Sequence, residues 1–195
     1  MSLDNSYWSH LAAGSVAAGF AVAIPSYTLC PEARIADISR QIGAAITAAA
    51  GLVDGPISIT GHSAGGHLSA RMVSAGTPLA DDVLGRVATV IPISGLHDLR
   101  PLMPTAMNET LRIDEAEAIA ESPALLRPVG RARLGLWVGG SERPEFVRQS
   151  ALLANVWTGL GAATAFHADP NRHHFDVIDG LADPRHPLSR ALLDV

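Results

Sequence analysis

The segment Ile57-Ser58-Ile59-Thr60-Gly61-His62-Ser63-Ala64-Gly65-Gly66 constrains this chain more than any other. An apolar, β-type run enters Gly-x-Ser-x-Gly, and helix-compatible residues from His67 to Met72 follow at once. A serine at such a strand-to-helix corner sits on a sharp, strained turn that lifts its Oγ clear of the sheet. Gly61 and Gly65 are expected to give the room that the turn and the strand–helix packing need. The same five residues can arise as an ordinary glycine-rich turn. The strand before and the helix after favour a nucleophile at Ser63.

The pattern on either side of this corner predicts the fold class. Helical spacing over 8–18 ends at Gly19, and the apolar run 20–25 reads as a short buried strand. A helix over 31–50 carries Ile35, Ile38, Ile42 and Ile46 on one face. Strands are expected over 56–60, 87–93, 134–138 and 162–167, with helices over 64–75, 114–121 and 144–160. Helical segments over 175–181 and 187–193 close the chain, and the polar, proline-punctuated stretch 97–108 reads as a cap over the active face. Short apolar strands alternating with helices predict an α/β domain with a mostly parallel sheet covered by helices on both faces. A length of 195 residues suits one domain, 1–195.

Composition excludes several function classes. Net charge is −5 with acidic and basic residues mixed, so no basic stripe offers a nucleic-acid surface. The apolar stretch from Leu11 to Pro25 is too short to span a bilayer and has no Lys or Arg before it. A cytoplasmic protein with no membrane partner is the expectation. The single cysteine, Cys30, cannot form an internal disulfide and reads as a small buried hydrophobe beside Pro31.

A serine hydroxyl needs a general base, and that base needs an orienting acid. The acid is expected after a strand, and Glu142 is the one carboxylate in the turn Gly139-Gly140-Ser141-Glu142-Arg143 before the next helix. The base is expected after the last strand, where Asn171-Arg172-His173-His174-Phe175-Asp176 offers His174, with His173 its nearest competitor. Asp98 is the reserve acid. His167 reads as a packed or hydrogen-bonded histidine, and His10, His97 and His186 as solvated surface histidines. No recognised metal-ligand spacing and no nucleotide-binding loop occurs, so neither a metal nor a cofactor is expected. Trp8, Trp137 and Trp157 are expected mainly in the core.

With these residues in place, the chain resembles the arylformamidase (kynurenine formamidase) branch of the α/β-hydrolases, close to the hormone-sensitive-lipase-like esterases. The resemblance rests on 61–68, on 93–102, on Asn108 through Ser122-Pro123, on Glu142 to Phe146 with Arg148-Gln149-Ser150, and on His174-Phe175. It implies hydrolysis of an N-formyl aromatic amine, a small-molecule substrate of the N-formylkynurenine kind. Ser63 would attack the formyl carbon, His174 would move the proton and Glu142 would hold the imidazole. The backbone N–H of Ala64 would give half of the oxyanion hole.

Two departures qualify the resemblance. Relatives usually carry Asp where Glu142 stands, and Glu is an accepted triad acid. Relatives also carry a His-Gly-Gly-x-Trp segment that gives further oxyanion donors, and nothing like it occurs here. Either the strands over 20–25 and 56–60 close up, or a second chain fills the gap, as in a homodimer, or the chain is a fragment of a longer protein; the reading is an N-terminally truncated hydrolase. A carboxylesterase of short acyl or aryl esters is the alternative within the same chemistry. A catalytically silent domain kept for binding is the alternative outside it.

Overall fold

The computed structural model describes residues 5–193. Four strands, β1 (Ile57–His62), β2 (Val87–Ile93), β3 (Arg133–Gly139) and β4 (Thr164–Asp169), form one parallel sheet in the order β1-β2-β3-β4. Parallel neighbours need long crossovers, and the connections supply them. β1 leads into α3 (Ala64–Arg71), β3 into α7 (Pro144–Gly159), and β4 through a turn-rich loop into α8 (Pro187–Leu193). The short α4 (Asp81–Leu84) precedes β2, and α5 (Asn108–Leu111) with α6 (Glu115–Glu121) lies between β2 and β3. Upstream are α1 (Ala13–Ala17) and α2 (Ile35–Ala50).

The central strands β2 and β3 are largely buried, which is why they read as apolar runs, whereas β1 is mostly half-buried and β4 mostly exposed. Leu134 and Leu136 of β3 pack with Ile59, Val90, Met72, Leu153 and Trp157 in one core. Trp137, one residue on and so on the opposite face, packs with Ile91, Ile93, Leu188 and Leu192 in a second core. Trp157 is fully buried because its indole N–H is satisfied by the carbonyls of Pro123 and Leu126, each at 3.1 Å. Among the described residues, no helix is long and apolar enough to cross a membrane.

Three expected elements differ. Segment 20–25 joins no strand, and Ala21, Val22, Ala23 and Pro25 are exposed. A strand needs a hydrogen-bonded neighbour, and among the described residues β1 pairs only with β2. Its apolar residues therefore lack the ladder that would bury them. The first helical stretch begins as a 3-10 helix, Asn5–Ala12, before α1. The 175–181 stretch forms turns and a 3-10 helix, Asp179–Ala182. There the Asp176 carboxylate takes the backbone N–H of His173 at 2.6 Å and tightens the chain into a turn.

The cap is fastened from beneath. Leu99, Ile113 and Ala118 pack on Ile35 at the start of α2. Asp114 caps α6 by accepting the Glu117 N–H at 2.8 Å. Arg71 of α3 meets Glu121 of α6 at 3.1 Å, with their side chains only 8% and 7% exposed, and Ser39 of α2 donates to the same carboxylate at 2.8 Å. Three helices thus share one buried ionic knot. Arg71→Met strands Glu121 without its cation and should cost about 3–5 kcal/mol in urea unfolding. The double variant Arg71→Met/Glu121→Leu should recover much of that loss.

Candidate active site

β1 delivers Ser63 at its C-terminal end in a conformation few side chains adopt, with φ 56° and ψ −111°. Strain of this kind persists only where the surroundings over-determine it. Here the Ser63 N–H donates to the Ile93 carbonyl at 2.8 Å, and the Ser63 carbonyl accepts the His67 N–H at 3.1 Å. Glycine is required close by. A Cβ on Gly61 would lie 2.4 Å from the Gly65 carbonyl oxygen, and one on Gly66 would lie 2.6 Å from that of Ile93. Gly65 meets nothing within 4 Å, so the tight pair is Gly61 and Gly66 rather than Gly61 and Gly65.

The ends of β2 and β3 supply the next layer. Ser94 is fully buried, also at positive φ (51°), and its N–H donates to the Trp137 carbonyl at 2.8 Å. Its Oγ donates to Glu142 Oε1 at 2.5 Å, and the Gly139 N–H donates to the same oxygen at 2.8 Å. Glu142 Oε2 lies 2.6 Å from His174 Nδ1, with the glutamate side chain inaccessible to solvent. Burial alone would raise this carboxyl. The hydrogen bonds from His174, Ser94 and Gly139 outweigh it and hold the pKa below its ordinary value.

The loop after β4 brings His174 Nε2 to 3.1 Å from Ser63 Oγ. An acceptor-only carboxylate at Nδ1 sets the tautomer: Nδ1 carries the proton, and the Nε2 lone pair faces the hydroxyl. Phe146 of α7 stacks on this imidazole with ring centroids 4.1 Å apart and planes at 27°. Ala64, the first residue of α3, places a free helix-terminal N–H directly after Ser63. Such a geometry can remove a proton from Ser63 and stabilise an oxyanion beside it.

The remaining sequence candidates lie elsewhere. His173 points its Nδ1 back at the N–H groups of Phe175 and Asp176, at 3.1 and 3.3 Å. Asp98 is held by Arg100 through Nε and Nη2 at 2.9 and 2.8 Å and does not meet His174. His167 stacks on Trp137 at 3.8 Å. His10 is exposed. His186 is half-buried, its Nδ1 accepting the Leu188 N–H at 3.1 Å. His97 is no surface residue: it is fully buried, and burial followed by the neighbouring His67 lowers its pKa to about 3. Gln149 fastens the backbone here, its amide oxygen taking the N–H groups of His97 and Asp98 at 2.9 and 2.8 Å. Cys30 is half-buried. Among the described residues, no group of three or more His, Cys, Asp or Glu side chains is arranged to hold a metal.

Two contributors were not singled out as functional by sequence reasoning, Ser94 and Phe146. Both lie in segments that carry the family resemblance, which was the available signal. The depressed pKa of Glu142 makes a pH prediction. A carboxylate whose folded pKa is lowered stabilises the fold fully above its unfolded value, about 4.3, and loses that contribution as pH falls through the folded value. The stability difference between the wild type and Glu142→Gln, followed by urea unfolding, should be greatest near neutrality and shrink in acid.

No protein-family profile matches the chain. The kynurenine formamidase of Danio rerio is 29% identical over 140 residues, covering 69% of this chain and 47% of that protein. That of Salmo salar is 30% identical over 141 residues, covering 69% and 48%. The chain thus spans about half the length of the curated relatives it matches. A crystal structure from Silicibacter sp., of a protein provisionally described as a thioesterase, superposes with a TM-score of 0.94 at 47% identity, covering 99% of this chain and 71% of that one. By sheet order, strand-end geometry and these likenesses, the chain belongs to the α/β-hydrolase superfamily and is similar in sequence to its kynurenine formamidases.

Proposed function

We propose that this chain is a serine hydrolase acting on an aryl formamide of the N-formylkynurenine kind, releasing formate and the free amine. The unbroken line from Ser63 Oγ through His174 to Glu142, at 3.1 and 2.6 Å, carries the reading. Ser63 Oγ attacks the formyl carbon while its proton passes to His174 Nε2. Glu142 stabilises the imidazolium, and the Ala64 N–H faces the oxyanion of the tetrahedral intermediate. His174 returns the proton to the departing nitrogen as the C–N bond breaks, leaving a formyl ester on Ser63. Water, deprotonated by His174, then attacks that ester, and formate leaves as the serine recovers its proton.

A second reading is ester or thioester hydrolysis by the same residues, since the 47% identical relative is described as a thioesterase. Nucleophile, base and acid would be unchanged, because acyl specificity resides in the walls around them. Turnover of N-formylkynurenine, a p-nitrophenyl acetate ester and a short acyl thioester by one preparation separates the readings. The formamide should show the highest kcat/KM, and Ser63→Ala should abolish turnover of all three. Glu142→Gln should lower kcat by about 10⁴-fold, as expected when the base loses its orienting acid. A preference for the ester or thioester would install the second reading. No turnover of any would leave a binding domain.

A further inference from the structure

The corner that carries Ser63 also carries an imidazole that the proposed reaction does not use. His62, the last residue of β1, lies with its ring centroid 4.5 Å from that of His174 and its plane tilted by 45°. Its Nε2 is shielded from solvent and has no hydrogen-bond partner. Leaving a buried nitrogen unpartnered costs folding free energy that an apolar side chain would not cost. What polar contact this imidazole makes is with the backbone of His174.

What His62 touches suggests its role. His174 sits on a turn between the exposed His173 and Phe175, and Glu142 holds it through Nδ1 alone. That bond and the approach of Ser63 Oγ to Nε2 both lie along the ring edge, so neither braces the faces of the ring against tilting. Contacts with the ring itself must set the direction of Nε2, and Phe146 and His62 both lie within 4.5 Å of its centroid. The groups facing His62 are His174 and Glu142. Burial, and after it the nearby His174, lower the His62 pKa to about 4, with the His174 backbone and Glu142 pulling the other way. Near neutrality it thus packs as an uncharged aromatic ring and sets no second cation beside the imidazolium that forms on His174.

We propose that His62 is a positioning residue: together with Phe146 it packs the His174 ring and keeps Nε2 directed at Ser63 Oγ. This rests on the hydrolase reading above. Small misplacements of a reacting group are costly, on the order of 10²-fold in rate for about 1 Å.

The test compares His62→Ala, which removes the ring, with His62→Phe, which keeps one. Kinetics on the best substrate are paired with urea unfolding. His62→Ala should lower kcat by roughly 10- to 100-fold with KM nearly unchanged. His62→Phe should restore most of kcat. A structural role alone would shift the unfolding midpoint without this split, and the phenylalanine would not rescue the rate. Full kcat in His62→Ala, or equal slowing in both variants, overturns the proposal. If His62→Ala does not fold, His62→Phe decides, with near-wild-type kcat in support and a large loss against. A wild type inert on every substrate overturns the hydrolase reading, and the positioning role falls with it. An active wild type matched by His62→Ala overturns the positioning role alone.

Discussion

The carboxylate of Glu142 is where three strand ends are tied together. One oxygen takes the Ser94 hydroxyl from the end of β2 and the Gly139 N–H from the end of β3. The other takes His174 from the loop after β4. Through that imidazole it reaches Ser63 at the end of β1. All four strands are parallel, so their C-terminal ends share one edge of the sheet, where such folds place their ligands. A buried carboxylate without these donors would be protonated or expelled to solvent, and the loops would lose their common anchor.

Two serines store conformational strain at this edge, Ser63 and Ser94, both at positive φ. Their backbone N–H groups donate to neighbouring strands, to Ile93 and Trp137, so the ladder extends past the formal ends of β1 and β2. That over-determination is what lets non-glycine residues hold such angles. The close pairs are then forced to be glycine, since a Cβ on Gly61 or Gly66 would collide with backbone. Rigidity in the sheet is in this way converted into a fixed position for one hydroxyl.

Much of this was legible in the sequence because the largely buried β2 and β3 announce themselves as apolar runs. β2 was expected over the residues it occupies, and β1, β3 and β4 within a residue or two at most ends. Ser63, Glu142 and His174 could be read as candidates because each follows a strand. What failed depended on distant partners. The run 20–25 has the composition of a strand, but pairing is decided by a neighbour that composition does not reveal. His97 lies in a polar stretch and looked exposed, yet it is fully buried, with its backbone N–H held by Gln149, 52 residues on. Ser94 and the stacking of Phe146 depend on the β2–β3 register and on where α7 begins, neither of which a local pattern encodes.

The central claim is that Ser63 is a nucleophile activated by His174. Reaction with a serine-directed fluorophosphonate, with the adduct mapped by peptide mass spectrometry, addresses it without any assumption about substrate. The account predicts a single labelled serine, Ser63, at a rate that collapses in His174→Ala. Absence of labelling at Ser63, or an equal labelling rate in His174→Ala, would contradict it.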